Sequence, residues 1–443
     1  MQLRDFVQRA AGIGSVSLFD RAAAVCLGIV FARWLGPADF GAYSFVIATV
    51  GLLLLPARLG LPELLTRDLA ASRGSGIALP IVAMVTKGYL LVGGAALAII
   101  GIGQIVLPIL PNTPLSELMK VGLWLILPNA LFEVTIGILR GLGRTFAFQF
   151  YGTLLLTVVT LSIGATTMIV ADRYEAPIAI EARFLALCAL LAIAALHLWS
   201  IIRQHRLQDA APVPSSATLL RTGFAFMLNA MLYMALMRID IVVLGLLIDE
   251  TSVGLYRVAV EGGLLVAFAY GAVITVLGPE YARLHAGDNM LDLQRLSRQA
   301  ARLIMLVGGV AAVIMMLFAY PIILIVFGKE YTPASTALSI LAAGHFVTFF
   351  FGDPIHLLNM TGHHNRITTI VAIGLGVSVI ACLLLVPIWG IVGAGVSASL
   401  ALIVYRVLAY RAVHKLLGIN CGVFGRSLIP ARPVISVTDK EQQ

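Results

Sequence analysis

Long apolar runs follow one another along almost the whole chain, and no other feature restricts the possible folds as much. They lie at 13–35, 40–59, 77–100, 118–139, 146–170, 178–201, 222–248, 253–277, 300–327, 334–358, 368–387 and 390–417. Each approaches the roughly 20 apolar residues that a helix needs to cross a bilayer. A chain of 443 residues that is 60% hydrophobic and 12% charged, with mean hydropathy +0.98, cannot hide that much apolar surface in a water-soluble core, so most of it must face lipid. The runs are continuous instead of alternating, which excludes a transmembrane β-barrel. The expected fold is an all-α integral membrane protein of about twelve transmembrane helices.

The runs fall into two similar halves. Gly41-x-Tyr43, where the chain re-enters an apolar run, is echoed by Gly254-x-Tyr256, and Leu139-Arg140-Gly141-Leu142-Gly143-Arg144 is echoed by Leu358-Asn359-Met360-Thr361-Gly362-His363. Arg203 to Ser216, with Pro212 and Pro214, reads as a linker. The expected organisation is a first six-helix bundle at 1–208, a linker at 209–217, a second bundle at 218–417 and a loosely ordered tail at 418–443. With the N-terminus inside, the outer segments hold only Arg33, Lys120, Arg173, Arg183 and Lys329, while the other loop and terminal cations, Arg58 and, at the C-terminal end, Arg406 among them, fall inside. Both termini are therefore expected in the cytoplasm of a plasma (inner) membrane protein. An even number of spans per half makes the repeats parallel, packed around a central cavity, and duplication of this kind points to a transporter whose repeats rock against each other. The formal charge of +8 then reflects topology and requires no nucleic-acid partner.

Several chemistries lack their signatures. The first run has full span length with Asp20 and Arg21 inside it, so it is expected to remain as span 1 instead of leaving as a signal peptide. Cys26, Cys188, Cys382 and Cys421 are isolated, giving neither a disulfide framework nor a metal-ligand spacing. No phosphate-cradling GxxxxGK[ST], HExxH or GxSxG is present. An ATP motor, a metal centre, a cofactor and an embedded enzyme are not expected.

Two amino-terminal segments carry a resemblance. Arg33-x-Leu35-Gly36-Pro37-x-x-Phe40-Gly41-x-Tyr43, followed by Gly60-Leu61-Pro62-Glu63-x-x-x-Arg67-Asp68-x-Ala70, resembles the signature of the polysaccharide flippases, the Wzx-like oligosaccharidyl-lipid branch of the MOP superfamily. Gly141-Leu142-Gly143-Arg144 resembles their inner loop after span 4, and Pro387-x-x-Gly390-x-x-Gly393-Ala394-x-x-Ser397 the start of their late helix. Asp172 to Pro177 departs from that last pattern at the matching place of the first half. The resemblance implies that an undecaprenyl-pyrophosphate-linked oligosaccharide is flipped from the cytoplasmic to the outer face during O-antigen, capsule or exopolysaccharide assembly. A polysaccharide polymerase and a chain-length regulator are admissible partners, beside the membrane lipids.

Charges inside spans are costly and so usually have a role. Asp20 and Arg21 lie in span 1, Lys87 in span 3, and Arg238 and Asp240 in span 7. A pyrophosphate needs cations out of bulk water, with Arg suited to bidentate contact and Lys to a point charge. Arg21, Lys87 and Arg238 are therefore the candidate head-group contacts, with Asp20 and Asn229 beside them. Neutralisation of Arg21 by Asp20 and of Arg238 by Asp240, simply to hold the bundle, is an equal reading. Glu133 in span 4 and Asp353 in span 10 occupy nearly matching places in the duplication and, with Asp240, are the candidates for coupling to H⁺ or Na⁺. His345 and His356 share the Asp353 helix and are read as polar contacts between helices. A cation-coupled multidrug exporter of the same superfamily is the alternative; one dominant carboxylate in an apolar cavity favours it, whereas paired Arg and Lys favour the flippase.

Overall fold

The computed structural model describes residues 3–75, 81–109, 113–204, 215–287 and 289–424, at some positions by backbone alone. In chain order the helices are α1 (Leu3–Arg58), α2 (Leu61–Ser75), α3 (Ile81–Val106), α4 (Pro114–Gly122), α5 (Ile126–Gly141), α6 (Thr145–Gln149), α7 (Leu156–Ala171), α8 (Ala176–Gln204), α9 (Ser216–Leu247), α10 (Glu250–Ala286), α11 (Met290–Leu317), α12 (Ala319–Val326), α13 (Ala334–Phe349), α14 (Pro354–Met360) and α15 (His364–Leu417). A π-helical turn, Phe150–Leu155, joins α6 to α7 into one pass. Among the described residues eight helices are long and apolar enough to cross a membrane, and the α13–α14 pair, bent by 53°, makes a ninth.

Two of those eight are double passes. Gly36 (φ 73) interrupts α1 immediately before Pro37, combining a residue that tolerates the left-handed region with one pre-set for a first helical turn. Phe31 and Tyr43 lie about 18 Å apart on a straight helix, yet their rings meet edge to face at 5.5 Å. The chain therefore reverses at Gly36. Gly390 (φ 53) does the same in α15, bringing Ile373 and Leu408 onto one cavity wall. Divided at these breaks, and with α10 covering the run at 253–277, the helices account for all twelve expected runs. Leu90, Ile105, Val170, Leu196, Ile325 and Ile388 stand exposed, as side chains facing lipid must.

By their contacts the helices form two compact units, one of Met1–Val258 with Ile323–Ala334, the other of Ala259–Ile322 with Ser335–Gln443. Within the first, α2 and α5 pack closely because Gly137 and Gly141 present no side chain: a methyl at Gly137 would stand 2.8 Å from the Pro62 carbonyl oxygen. Small residues four apart are a common way for membrane helices to approach. Thr66 fastens the contact by donating to the Gly137 carbonyl at 2.8 Å. Within the second unit, Val266, Ile304, Ala312 and Phe349 form a fully buried core.

The duplicated loop has the same backbone in both units. Gly143 and Gly362 share φ 81; Arg144 N–H donates to Leu139 O at 2.9 Å, and His363 N–H to Leu358 O at 2.9 Å. This six-residue bond around a left-handed glycine closes a helix and satisfies its last carbonyls. The expectation of a loose tail from residue 418 needs correction over its first residues. Val423 N–H donates to Phe350 O at 3.0 Å, Tyr410 Oη donates to Asn420 Oδ1 at 2.8 Å, and Cys421 is buried. Apolar Ile419 and Cys421, capped off α15 by Gly418, have a core to enter. The linker at 209–214 and the tail at 425–443 lie outside the described residues.

Candidate functional site

The amino-terminal signature is a structural knot. Arg33 donates to the carbonyls of Val326 (2.7 Å) and Ile325 at the end of α12, where cations satisfy the unpaired carbonyls. Tyr331 donates to Ala32 O at 2.7 Å and its ring meets Phe40. Asp39 accepts from the first N–H of α8, Ala176, at 3.0 Å. The two Gly-x-Tyr motifs touch each other: a methyl at Gly41 would stand 2.7 Å from Gly254 N, and one at Gly254 would stand 3.1 Å from Gly41 N. Each motif tyrosine reaches back to the preceding pass, Tyr43 to the Phe31 ring and Tyr256 to Asp240, whose Oδ2 accepts its hydroxyl at 2.6 Å. Asp240 is 7% exposed and also accepts from Ile241 N–H at 2.9 Å.

Glu133 is not isolated. Arg58, at the end of α1, lies 3.3 Å from Glu133 Oε2 and 3.4 Å from Glu63 Oε1, so one guanidinium bridges a carboxylate of α5 and one of α2. Arg58 sits there because Leu59 (φ 54) and Gly60 (φ 65) break the chain between α1 and α2. Past the break, Arg67 pairs with Asp68 at 2.8 Å and lies 5.6 Å from the centre of the Phe226 ring. Together these place the second signature segment, Gly60 to Ala70, against α5 and α9.

The second unit holds a denser cluster. Gly352 (φ 67) breaks the helix between α13 and α14, and Asp353 caps α14. Asp353 Oδ1 accepts from Tyr270 Oη at 2.6 Å and lies 3.1 Å from His356 Nδ1. Arg406, from α15, donates to Tyr270 Oη at 2.7 Å, covers the Tyr270 ring at 4.5 Å and lies 3.9 Å from Asp353 Oδ1. Asp353 and Arg406 are 2% and 8% exposed. Asp353 Oδ2 and Arg406 Nε are buried with no hydrogen-bond partner among the described residues, and such atoms mark places where a water or ion completes a network. His345 lies against this cluster through its stacking on Phe349, itself stacked on Tyr270.

Of the residues expected from sequence, Glu133, Asp353, Asp240 and His356 have the partners described above. Lys87 and Arg238 are half-buried in α3 and α9. Asp20, Arg21 and Asn229 lie outside the described side chains. Sequence reasoning assigned Arg58 and Arg406 to the cytoplasmic loops and ends, and missed both as partners of the candidate acids; Tyr270 was not singled out. Arg406 had a signal, since it lies within the apolar run 390–417, about 16 Å along the helix from its end.

Three comparisons bear on this arrangement. The profile of the family described as "Polysaccharide biosynthesis protein" matches residues 7–285. The "Probable low-salt glycan biosynthesis flippase Agl15" of Haloferax volcanii is 27% identical over 172 residues, covering 38% of this chain and 36% of that protein. Thus the match spans about a third of the relative's length. Among solved structures, an inward-facing multidrug resistance MATE family transporter of the MOP superfamily superposes with a TM-score of 0.69 at 15% identity, covering 92% of this chain and 98% of that one. The lipid II flippase MurJ, in an inward closed conformation, superposes with a TM-score of 0.65 at 14% identity, covering 90% and 87%. At these identities the likeness is one of fold. The chain belongs to the polysaccharide biosynthesis protein family and has the all-helical fold of MOP-superfamily transporters.

Proposed function

We propose that this protein flips an undecaprenyl-pyrophosphate-linked oligosaccharide from the cytoplasmic to the outer face of the plasma membrane, for surface polysaccharide assembly, by alternating access. The observation that carries the reading is the family match over residues 7–285, supported by a relative described as a glycan biosynthesis flippase. In this reading bundles 1–208 and 218–417 are joined by the linker 209–217, and both termini, including the tail 418–443, are cytoplasmic. The substrate's sugars cross in a polar cavity while its lipid stays in the bilayer. Arg21, Lys87 and Arg238 compensate the phosphates, and Asn229 and Asp20 bond the adjoining groups. Glu133, Asp353 and Asp240 carry any coupling to an ion gradient. A polymerase and a chain-length regulator act on the product.

The test is translocation of a fluorescent undecaprenyl-pyrophosphate oligosaccharide in proteoliposomes, scored by accessibility to an impermeant glycosidase. Wild type should move the substrate, and Lys87→Ala with Arg238→Ala should abolish movement at unchanged protein level. Full activity in the double variant would reject the head-group assignment. No translocation by wild type, together with efflux of cationic dyes, would replace the reading with a multidrug exporter.

A further inference from the structure

The two passes of α15 run side by side from their reversal at Gly390, and a cavity of about 230 Å³ opens between them at the far end. Its mouth carries Arg366 from the first pass, Arg411 and Lys415 from the second, and the hydroxyl-bearing Thr369; its wall is Ile370, Ile373 and Leu408. No carboxylate is among its described lining residues. All three cations are solvent-exposed.

The position of the cluster follows from helix geometry. From Gly390 to Arg366, and equally to Lys415, the chain advances about 36 Å at a helical rise of about 1.5 Å per residue. A hydrocarbon core is about 30 Å thick. With the turn at one membrane surface, the three cations stand at the head-group level of the other. Ile373 on the cavity wall begins an exposed stripe continued by Ile380, Leu384 and Ile388, spaced to share one helix face. That face is lipid-exposed, so the cavity is reached sideways from the bilayer without any movement of the helices.

We propose that this cavity is a binding site for an anionic phospholipid of the surrounding bilayer. Its phosphate is held by the forks of Arg366 and Arg411 and the point charge of Lys415, and an acyl chain lies along Ile370, Ile373 and Leu408. Three like charges facing one groove repel each other until an anion enters, and basic pockets between membrane helices take multiply charged lipid head groups for this reason. The site is independent of the translocated substrate.

The experiment is native mass spectrometry of the full-length protein titrated in detergent with cardiolipin, phosphatidylglycerol or phosphatidylcholine. Each cation near an anionic head group contributes about fivefold in affinity, so the R366Q/R411Q/K415Q variant should lose on the order of a hundredfold for cardiolipin and little for phosphatidylcholine. A second variant, Leu408→Trp, keeps every charge but fills the apolar wall, and should weaken cardiolipin without changing its preference over phosphatidylcholine. Equal cardiolipin binding by wild type and the triple variant, both monodisperse by size exclusion, would overturn the proposal. So would displacement of bound cardiolipin from wild type by stoichiometric undecaprenyl pyrophosphate, which would give the groove to the substrate.

Discussion

Placing one methyl group at Gly41 tests whether the two motif copies hold each other. A Cβ there would overlap the Glu250 carbonyl and stand 2.7 Å from Gly254 N, whereas ordinary carbon contacts with backbone polar atoms fall at about 3.3 Å or more. The α1 and α10 backbones must therefore separate by on the order of 1 Å. A radial gap of that size forfeits up to about half of each dispersion contact across the interface, and forced overpacking costs about 1–3 kcal/mol. Gly51→Ala is the control, because it lies on the same pass of α1 with nothing within 4 Å of its Cβ position. That variant should be neutral or slightly stabilising, since alanine favours helix over glycine by roughly 0.5–1 kcal/mol. Thermal unfolding in detergent should place Gly41→Ala several degrees below Gly51→Ala. Gly254→Ala should behave like Gly41→Ala, and the double variant should cost little more than either, because one separation accommodates both methyls. Equal melting of the Gly41 and Gly51 variants, or full additivity in the double, would refute the contact.

The remaining predictions concern the charged clusters and the terminal segment. Arg406→Gln should destabilise the protein by about 3–5 kcal/mol by stranding the buried Asp353 carboxylate, and Asp353→Asn added to it should recover part of the loss in melting temperature. If an ion gradient drives transport, Glu133→Gln and Asp353→Asn should each abolish the response of flipping to an imposed pH or Na⁺ gradient in proteoliposomes; an unchanged response leaves both acids as structural contacts. Burial pushes the Cys421 thiol up to about 12, so it stays protonated until the pH nears that value, and site-resolved maleimide labelling at pH 8 should be at least about a hundredfold slower in the folded protein than after SDS unfolding.

The parts of this fold legible in the sequence depend on local rules. Gly36-Pro37 marks a reversal because a left-handed glycine ends one helix and a proline opens the next. The loop after Leu139 recurs after Leu358 because closing a helix with a left-handed glycine needs the same spacing of residues in each case. The partners of Glu133 and Asp353 were not legible, because they depend on which way a helix end is rotated. Counting cations by loop sorted Arg58 and Arg406 to the cytoplasmic face, and that count carries no information on whether a guanidinium turns outward or back toward an acid. In Arg58 the turn is imposed by the left-handed pair Leu59-Gly60, and only the glycine of that pair advertises itself. The described start of the tail was misread for a related reason: Ile419 and Cys421 form too short an apolar stretch to register as a run, yet Gly418 turns them onto the backbone of residues 350–352.

The duplication also separates what repeats from what does not. The loop that follows each acid keeps its glycine and its bonds in both halves, but the acids ahead of it sit in unlike frames. Glu133 lies within the unbroken helix α5, its side chain 32% exposed, sharing an arginine with Glu63. Asp353 stands at a break, its side chain 1% exposed, with a tyrosine, a histidine and an arginine around one of its oxygens. An ion or proton could reach Glu133 by displacing one partner of an arginine that keeps another, whereas reaching Asp353 means opening a network in which Tyr270 and Arg406 are bonded to each other as well. The second step is more cooperative and suits an all-or-none change in that unit. The near match of the two positions in sequence therefore does not imply equal roles, and any coupling carried by the pair would be asymmetric between the halves.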